Sequence, residues 1–385
     1  MDFSLSEEHK LIQEAARNFA QKAKEGVIER DTKMEYPTKT VSEMGELGFM
    51  GIMTSPNYGG SGLDTLSYVL VMEELSKVDA SAAVIMSAHN SLAVWGIEKY
   101  GSDEIKDRYL TPLASGTSIG CFCLSEPEAG SDATSQQTTA VDKGDHYILN
   151  GVKNWITNGE KADYHIVIAQ TDRDKGHRGI NAFVVEKSWE GVQIGVKEDK
   201  LGIRSSDTHS IIYTEVKVPK TNRLGPDGFG FKFAMETLEG GRIGIAAQAL
   251  GIAAGAYELA AGYANLRKAF GKPIIEHQGI AFKLAEMAME IESARMLVYR
   301  AAYLKDQGLP YGYASAMAKL KASEVAMSVT VEAVQVHGGN GYVKEYHVER
   351  LMRDAKITQI YEGTSEIQKI VLSRHIAKGN LQLHL

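Results

Sequence analysis

Ile119-Gly120-Cys121-Phe122-Cys123-Leu124 is the stretch on which the fold turns. Before it, apolar residues recur at helical spacing. From it onward they gather into short runs rich in β-branched residues, at 119–124, 165–169, 182–185, 192–196 and 211–218. Few helical stretches separate these runs. The sheet is therefore expected to be mostly antiparallel, which excludes a doubly wound nucleotide-binding fold. Asn150-Gly151 and Asn158-Gly159 read as tight turns. Trp189-Glu190-Gly191 and Gly225-Pro226-Asp227-Gly228 supply further punctuation.

Upstream, residues 1 to about 117 read as helical. Ser6 ahead of Glu7 and Glu8 makes a good N-cap with acids in the first turn. Ile12, Ala15, Ala16, Phe19 and Ala23 follow at helical spacing. Gly48, Gly51, Gly59, Gly60 and Gly62 around Pro56 predict a loop, and a second helical run covers about 64–100. Downstream, the chain is helical from Phe231 to about 378. Leu284, Met287, Ala288, Ile291, Ala294 and Val298 share one stripe. Met289 and Leu297 widen it, so this helix is expected to pack on more than one side. Gly308-Leu309-Pro310 ends it, and Gly338-Gly339-Asn340-Gly341 interrupts the last section. The expected fold class is multidomain α and β: a helical N-terminal domain at 1–117, a middle antiparallel β-domain at 118–227 and a C-terminal helical domain at 228–385.

A length of 385 residues suits two or three packed units. Hydrophobic residues at 44% and charged residues at 24% fit a globular chain with a sizeable core. A formal charge of −7 leaves no basic stripe for nucleic acid, though a phosphate-bearing small molecule needs only a few local donors. Cys121 and Cys123 are too close for a normal bridge and are expected on one face of a strand. That pair fits a reducing compartment. No Ser/His/Asp order is legible, and the eleven histidines include no His-x-x-x-His or Glu-x-x-His spacing. No metal centre is expected. Met1-Asp2-Phe3-Ser4 has no basic n-region or apolar core, so no secretory signal is read. No apolar run reads as long enough to span a bilayer. A cytoplasmic, membrane-free protein is the expectation.

Four segments carry chemistry. In Cys123-Leu124-Ser125-Glu126-Pro127-Glu128-Ala129-Gly130-Ser131-Asp132 a strand ends and the chain turns. Its N–H groups and serines can cradle an anion, or form a plain polar turn. Trp155-Ile156-Thr157-Asn158-Gly159 sets an indole beside a hydroxyl, either to flank a flat polar ring or as a core Trp near a turn. Arg267-Lys268-Ala269-Phe270-Gly271-Lys272-Pro273 offers a guanidinium that can fork onto a pyrophosphate, or basic residues closing a helix. In Ile360-Tyr361-Glu362-Gly363-Thr364-Ser365-Glu366-Ile367-Gln368, Thr364 or Ser365 can cap the helix that follows. A partly desolvated Glu362 there would have a raised pKa suited to a base, whereas a solvated one would be a loop carboxylate.

Together and in this order, Ser-Glu-Pro-x-x-Gly-Ser-Asp, Trp-Ile-Thr-Asn-Gly, Arg-x-x-Phe-Gly, Gln-x-x-Gly-Gly-x-Gly-Tyr and Ile-Tyr-Glu-Gly-Thr resemble the acyl-CoA dehydrogenase family across essentially the whole chain. The short-chain, butyryl-type members are the nearest match. The resemblance implies that the C-terminal domain is a four-helix bundle. It implies bound FAD and a homotetramer built as a dimer of dimers. Phe122, Cys123, Leu124 and Ser125 would line the flavin, and Gly130 and Ser131 would meet its pyrophosphate. Trp155, Ile156 and Thr157 would flank the ring near N5. Arg267, Phe270, Gln278 and the turn Gln335, Val336, His337, Gly338 and Gly339 would reach the FAD of a neighbouring subunit. Thr364 and Glu366 would hold the cofactor's other side. Ser131, Glu239, Arg242 and Gly363 would contact substrate, and Glu362 would be the catalytic base. His337 departs from the family, where an apolar or aromatic residue is commoner. The segment Ser87-Ala88-His89-Asn90-Ser91-Leu92 resembles the short-chain form of a helix that closes the acyl pocket.

This resemblance predicts α,β-dehydrogenation of a short-chain acyl-CoA to the trans-2-enoyl-CoA, with electrons passed to an electron-transferring flavoprotein. The α-proton beside a thioester is so weakly acidic that the developing enolate oxygen needs donors of its own. In the family these are the backbone N–H of the catalytic Glu and a ribityl hydroxyl of FAD. An acyl-CoA oxidase using oxygen is the alternative enzyme, and the chain's end at Leu385 without a further domain favours the dehydrogenase. A non-catalytic acyl-CoA-binding protein on the same fold is the other alternative, and retention of every motif argues against it.

Overall fold

The computed structural model describes residues 4–379. The readings of the Met1–Phe3 start and of the final residues fall outside it. The N-terminal part contains α1 (Glu7–Ala23), α2 (Val27–Lys33), α3 (Thr38–Glu46), α4 (Thr65–Ser76), α5 (Ala80–Ser87), α6 (Trp95–Tyr100), α7 (Asp103–Ile105) and α8 (Thr111–Ala114). Ser6 caps α1 by accepting from the His9 N–H. The Gly-rich stretch between α3 and α4 holds only two short 3₁₀ turns. Ala88–Val94 bridges α5 and α6 as a π-helix. A π segment within a helical run often accompanies a functional site.

The middle part is an eight-stranded sheet: β1 (Gly120–Cys123), β2 (Thr139–Asp142), β3 (His146–Thr157), β4 (Tyr164–Gln170), β5 (Ile180–Glu186), β6 (Val192–Lys197), β7 (Thr208–Pro219) and β8 (Arg223–Leu224). Its order is β6-β7-β3-β2-β4-β5-β8, with β1 paired to β4. Pairing is antiparallel except where β1 and β2 meet β4. Two readings need correction. Asn150-Gly151 is not a hairpin turn but lies inside β3, where the register against β7 shifts. Gly151 adopts φ 152, and a Cβ there would strike Thr138, so close approach rather than a turn explains the glycine. β2 and β3 were also not among the apolar runs, because β3 buries residues in an interrupted alternation.

The C-terminal part holds α9 (Gly230–Leu266), α10 (Gln278–Asp306), α11 (Gly312–His337), α12 (Val348–Ile357) and α13 (Ser365–Ala377). α9, α10 and α11 pack on one another, and α13 joins through α11. Leu284, Met287, Ile291, Ala294 and Val298 face this core. α10 also packs on α4, and Leu297 lies partly buried against the core, so this helix does pack on more than one side; Met289 departs from the expectation and is exposed in the single chain. Arg267 follows the end of α9 and opens a hairpin, β9 (Lys268–Ala269) and β10 (Lys272–Pro273). Phe270 and Gly271 turn it with φ 51 and φ 83, the handedness of a two-residue hairpin loop.

The membrane reading is also corrected. Ala80–Tyr100 and Gly230–Leu266 are long and apolar enough to cross a bilayer by length and composition. They are apolar all round because protein covers them: 94% and 83% of their most apolar windows are buried.

Candidate active site

Glu362 sits in the loop between α12 and α13, with φ 54, followed by Gly363 at φ 87. Left-handed backbone at a non-glycine residue costs on the order of 1–3 kcal/mol and persists only where its surroundings impose it. Here the surroundings are explicit. Lys319 Nζ of α11 donates to the Gly363 carbonyl at 2.8 Å. Gln368 Nε2 of α13 donates to the Glu362 carbonyl at 3.1 Å and the Gly363 carbonyl at 2.8 Å. Thr364 caps α13 by accepting from the Ile367 N–H.

The carboxylate points at α9. A Cβ on Gly241 would lie 2.5 Å from Glu362 Oε2 and 2.9 Å from Leu92 Cδ2, so only glycine leaves that space. Glu362 Oε2 is buried and has no hydrogen-bond partner among the described residues. Burial pushes the Glu362 carboxyl up to about 7, against the opposing pull of Arg242 and Lys319. A carboxyl that titrates near neutrality is suited to accept a proton from carbon. Arg242 is itself buried, and its Nε has no hydrogen-bond partner among the described residues. Glu239, one turn earlier, is raised by burial and partly restored by Arg242. On the other side Tyr361 Oη bonds Gln248 Oε1, and Tyr68 Oη donates to Ser87 Oγ at 2.9 Å. A Cβ on Gly244 would meet both Tyr68 and Ser87. α9 thus carries small residues where the carboxylate and the α4–α5 hydroxyls approach it.

A second cluster forms where β1 runs out beside the end of β3. The Asn154 N–H donates to the Ser125 carbonyl at 2.8 Å, joining the two motifs. Trp155, at φ 60, is 61% exposed, which rules out the core-Trp alternative. Cys123, Leu124 and Ile156 are buried, so they offer a ligand mainly backbone. Thr157 pairs with Thr208 in the sheet and remains half-buried. Two residues that sequence reasoning missed brace this corner. Lys153, fully buried, donates to the Leu124 carbonyl at 3.0 Å and to Glu126 Oε1 at 2.8 Å. Glu126 in turn accepts from the Thr138 N–H at 3.1 Å.

A third cluster lies at the far end of α9. Arg267 and Gln278 are exposed, and Phe270 is 96% exposed. His337 stacks on Tyr263 at 4.4 Å between ring centroids, and Asn340 Nδ2 donates to Tyr263 Oη at 3.0 Å. These contacts tie the Gln335–Gly339 turn to α9 near the Arg267 hairpin. Val336 and His337 are buried there, whereas Gln335, Gly338 and Gly339 are exposed. Among the described residues no hydrogen bond or ring contact joins this cluster to the second.

The family signature described as acyl-CoA dehydrogenase, N-terminal domain, matches residues 6–117; the middle domain matches 121–216 and the C-terminal domain 228–377. The chain belongs to the acyl-CoA dehydrogenase family. It is 52% identical over 377 residues to the short-chain specific acyl-CoA dehydrogenase of Clostridium acetobutylicum, covering 98% of this chain and 100% of that one. It superposes on butyryl-CoA dehydrogenase from Megasphaera elsdenii with a TM-score of 0.96 and 49% identity, covering 98% and 100% of the two chains. A structure described as the electron transferring flavoprotein of Acidaminococcus fermentans contains a chain that matches with a TM-score of 0.96 and 52% identity, covering 98% and 99%.

Acyl-CoA dehydrogenases are FAD-dependent oxidoreductases, and this chain's residues fit that cofactor. Gly130, Gly271, Gly338 and Gly339 each leave open space where a Cβ would stand, so main chain can approach a bulky ligand. The exposed indole of Trp155 beside Ser125 and Thr157 offers one flat apolar wall with polar groups at its edge.

Proposed function

We propose that this acyl-CoA dehydrogenase oxidises short-chain acyl-CoA to trans-2-enoyl-CoA, with Glu362 as the base, and passes the electrons to an electron-transferring flavoprotein. The observation that carries the reading is the buried Oε2 of Glu362, without a hydrogen-bond partner among the described residues, on a carboxyl pushed up to about 7. A carboxylate kept from water and from other donors is free to take a proton from carbon. Bound FAD supplies the acceptor for the β-hydride.

The rest of the work falls to the chain. The N–H groups of Glu362 and Gly363 have no partner among the described residues, and the first would donate to the thioester oxygen as negative charge develops there. Arg242 and Glu239 would meet the substrate toward its CoA portion. Phe122–Ser125, Gly130, Ser131 and Trp155–Thr157 would hold the flavin and its pyrophosphate, with Thr364 and Glu366 on its other side. Leu92, beside the carboxylate, would help close the acyl pocket.

The assembly would be a homotetramer, a dimer of dimers. Arg267, Phe270, Gln278 and the Gln335–Gly339 turn of one subunit would complete the cofactor site of another. The exposure of Arg267, Phe270, Gln278, Gln335, Gly338 and Gly339, and the absence of a hydrogen bond or ring contact to the second cluster among the described residues, support that arrangement. A cytoplasmic location and domain boundaries at 117/118 and 227/228 belong to the same reading.

The test is a turnover panel of acyl-CoA chain lengths, following enoyl-CoA formation, reduction of an electron-transferring flavoprotein and release of hydrogen peroxide. Highest kcat/KM on butyryl-type substrates with reduction of the flavoprotein is expected. Stoichiometric peroxide would make the protein an oxidase instead.

A further inference from the structure

Lys319 is a fully buried amine in the core of a helical bundle. Burying an ammonium costs several kcal/mol unless partners compensate, and an apolar side chain of similar volume would serve packing as well or better. Its hydrogen bond and its nearby carboxylates all belong to one place. Its Nζ donates to the Gly363 carbonyl, and the carboxylates that act on it are Glu362 and Glu366. Burial lowers its pKa to about 8, which leaves it cationic at neutral pH.

Gln368 approaches the same loop from α13 and is also fully buried. Between them the two side chains satisfy the carbonyls of Glu362 and Gly363. The N–H groups of those residues are left unpaired among the described residues. A loop of two left-handed residues has no secondary structure to hold it, so these three bonds decide where its N–H groups and carboxylate point. The groups facing the Glu362 carboxylate are Arg242 from α9, Lys319 from α11, Tyr68 from α4 and the adjacent Tyr361. Only Arg242 and Lys319 carry positive charge.

We propose that Lys319 is a positioning residue for dehydrogenation: with Gln368 it fixes the Glu362–Gly363 backbone, and with Arg242 its charge sets the pH at which Glu362 can act. The proposal rests on Glu362 being the base. It also implies that Lys319 acts on the chemical step more than on substrate affinity. Glu362 is a carboxyl whose pKa is raised by burial, so it is competent above that pKa and fails below it. Removing a nearby cation raises it further and moves the acid limb of the kcat profile upward.

The experiment compares flavin-loaded Lys319→Met, Lys319→Arg, Gln368→Met and Glu362→Gln with the parent protein, reading kcat, KM and the pH dependence of kcat, with flavin absorbance confirming loading. Lys319→Met should lose on the order of 10²-fold in kcat, the scale of a small misplacement of reacting groups. Its KM should stay within a few-fold and its acid limb should move to higher pH. Lys319→Arg should restore the limb and part of kcat. Gln368→Met should lower kcat and leave the limb in place. A Lys319→Met protein with lower thermal stability but unchanged kcat and limb would make Lys319 a structural staple and overturn the proposal. So would a Lys319→Arg protein whose limb moves upward, a readout that stands even if Lys319→Met does not fold. An active Glu362→Gln protein would remove the base reading itself; an inactive one beside an unaffected Lys319→Met removes only the role of Lys319.

Discussion

Four of the eight described non-glycine residues with positive φ are Trp155, Asn158, Phe270 and Glu362, and all four lie in the chemistry-bearing segments. Such strain collects where a side chain must be aimed against local preference. The motif reading reached these residues by type and order, and it anticipated the raised pKa of Glu362. It gave no role to Gln368 and did not reach Lys319. Lys319 lies 44 residues before its acceptor Gly363, and in sequence it is one lysine on a helix. The raised pKa has a consequence for stability. Folded Glu362 titrates near 7 against an ordinary value of 4.5, so folding is penalised by the charged form. The penalty is absent below the unfolded value, grows as pH rises and is complete above about 7, reaching at most about 3 kcal/mol. Glu362→Gln should therefore melt at a higher temperature than the parent at pH 8, with the gain shrinking toward zero near pH 5. An equal gain at both pH values, measured by calorimetry, would contradict burial of a charged Glu362.

At the scale of elements, α9 and β3 do what periodicity alone does not reveal. α9 reads as one long apolar helix, yet Gly241 is the point where it makes room for the Glu362 carboxylate. Gly241→Ala should lower kcat/KM on the order of 10²-fold by displacing Glu362 while leaving flavin content unchanged. Loss of flavin instead would mean that the helix had shifted as a whole. In β3 a register irregularity between Lys153 and Ile156 breaks the alternation. That is why Lys153 is fully buried while Trp155 is exposed, and why counting in twos could not assign either. Lys153→Met strands Glu126 without its cation and should cost about 3–5 kcal/mol in denaturant unfolding. Adding Glu126→Gln should recover part of that loss. No recovery would indicate that Lys153 acts through the Leu124 carbonyl alone.

For the whole molecule, the order helical, β, helical was legible because the period of apolar residues changes abruptly at Ile119 and again at Phe231. Hydropathy alone does not distinguish protein from lipid as the partner of an apolar helix: Ala80–Tyr100 and Gly230–Leu266, where no spanning run was read, have the length and composition of one and are covered by protein. The same gap affects Met289, a large apolar side chain left in the open by the single chain. Leu266, Phe270 and Tyr342 are more exposed still, as expected of surface covered by another subunit. Phe270→Asp should shift sedimentation toward smaller species and release FAD on dilution. A tetramer that keeps its flavin would remove Phe270 from the shared site.

The central claim is that Glu362 removes the α-proton while bound FAD accepts the hydride. The most direct measurement mixes flavin-loaded protein anaerobically with butyryl-CoA and follows the flavin absorbance band in a stopped-flow instrument, for the parent and for Glu362→Gln. The account predicts rapid bleaching in the parent and a band that persists in the variant although the thioester still binds. Bleaching of Glu362→Gln at a rate near the parent's would contradict it.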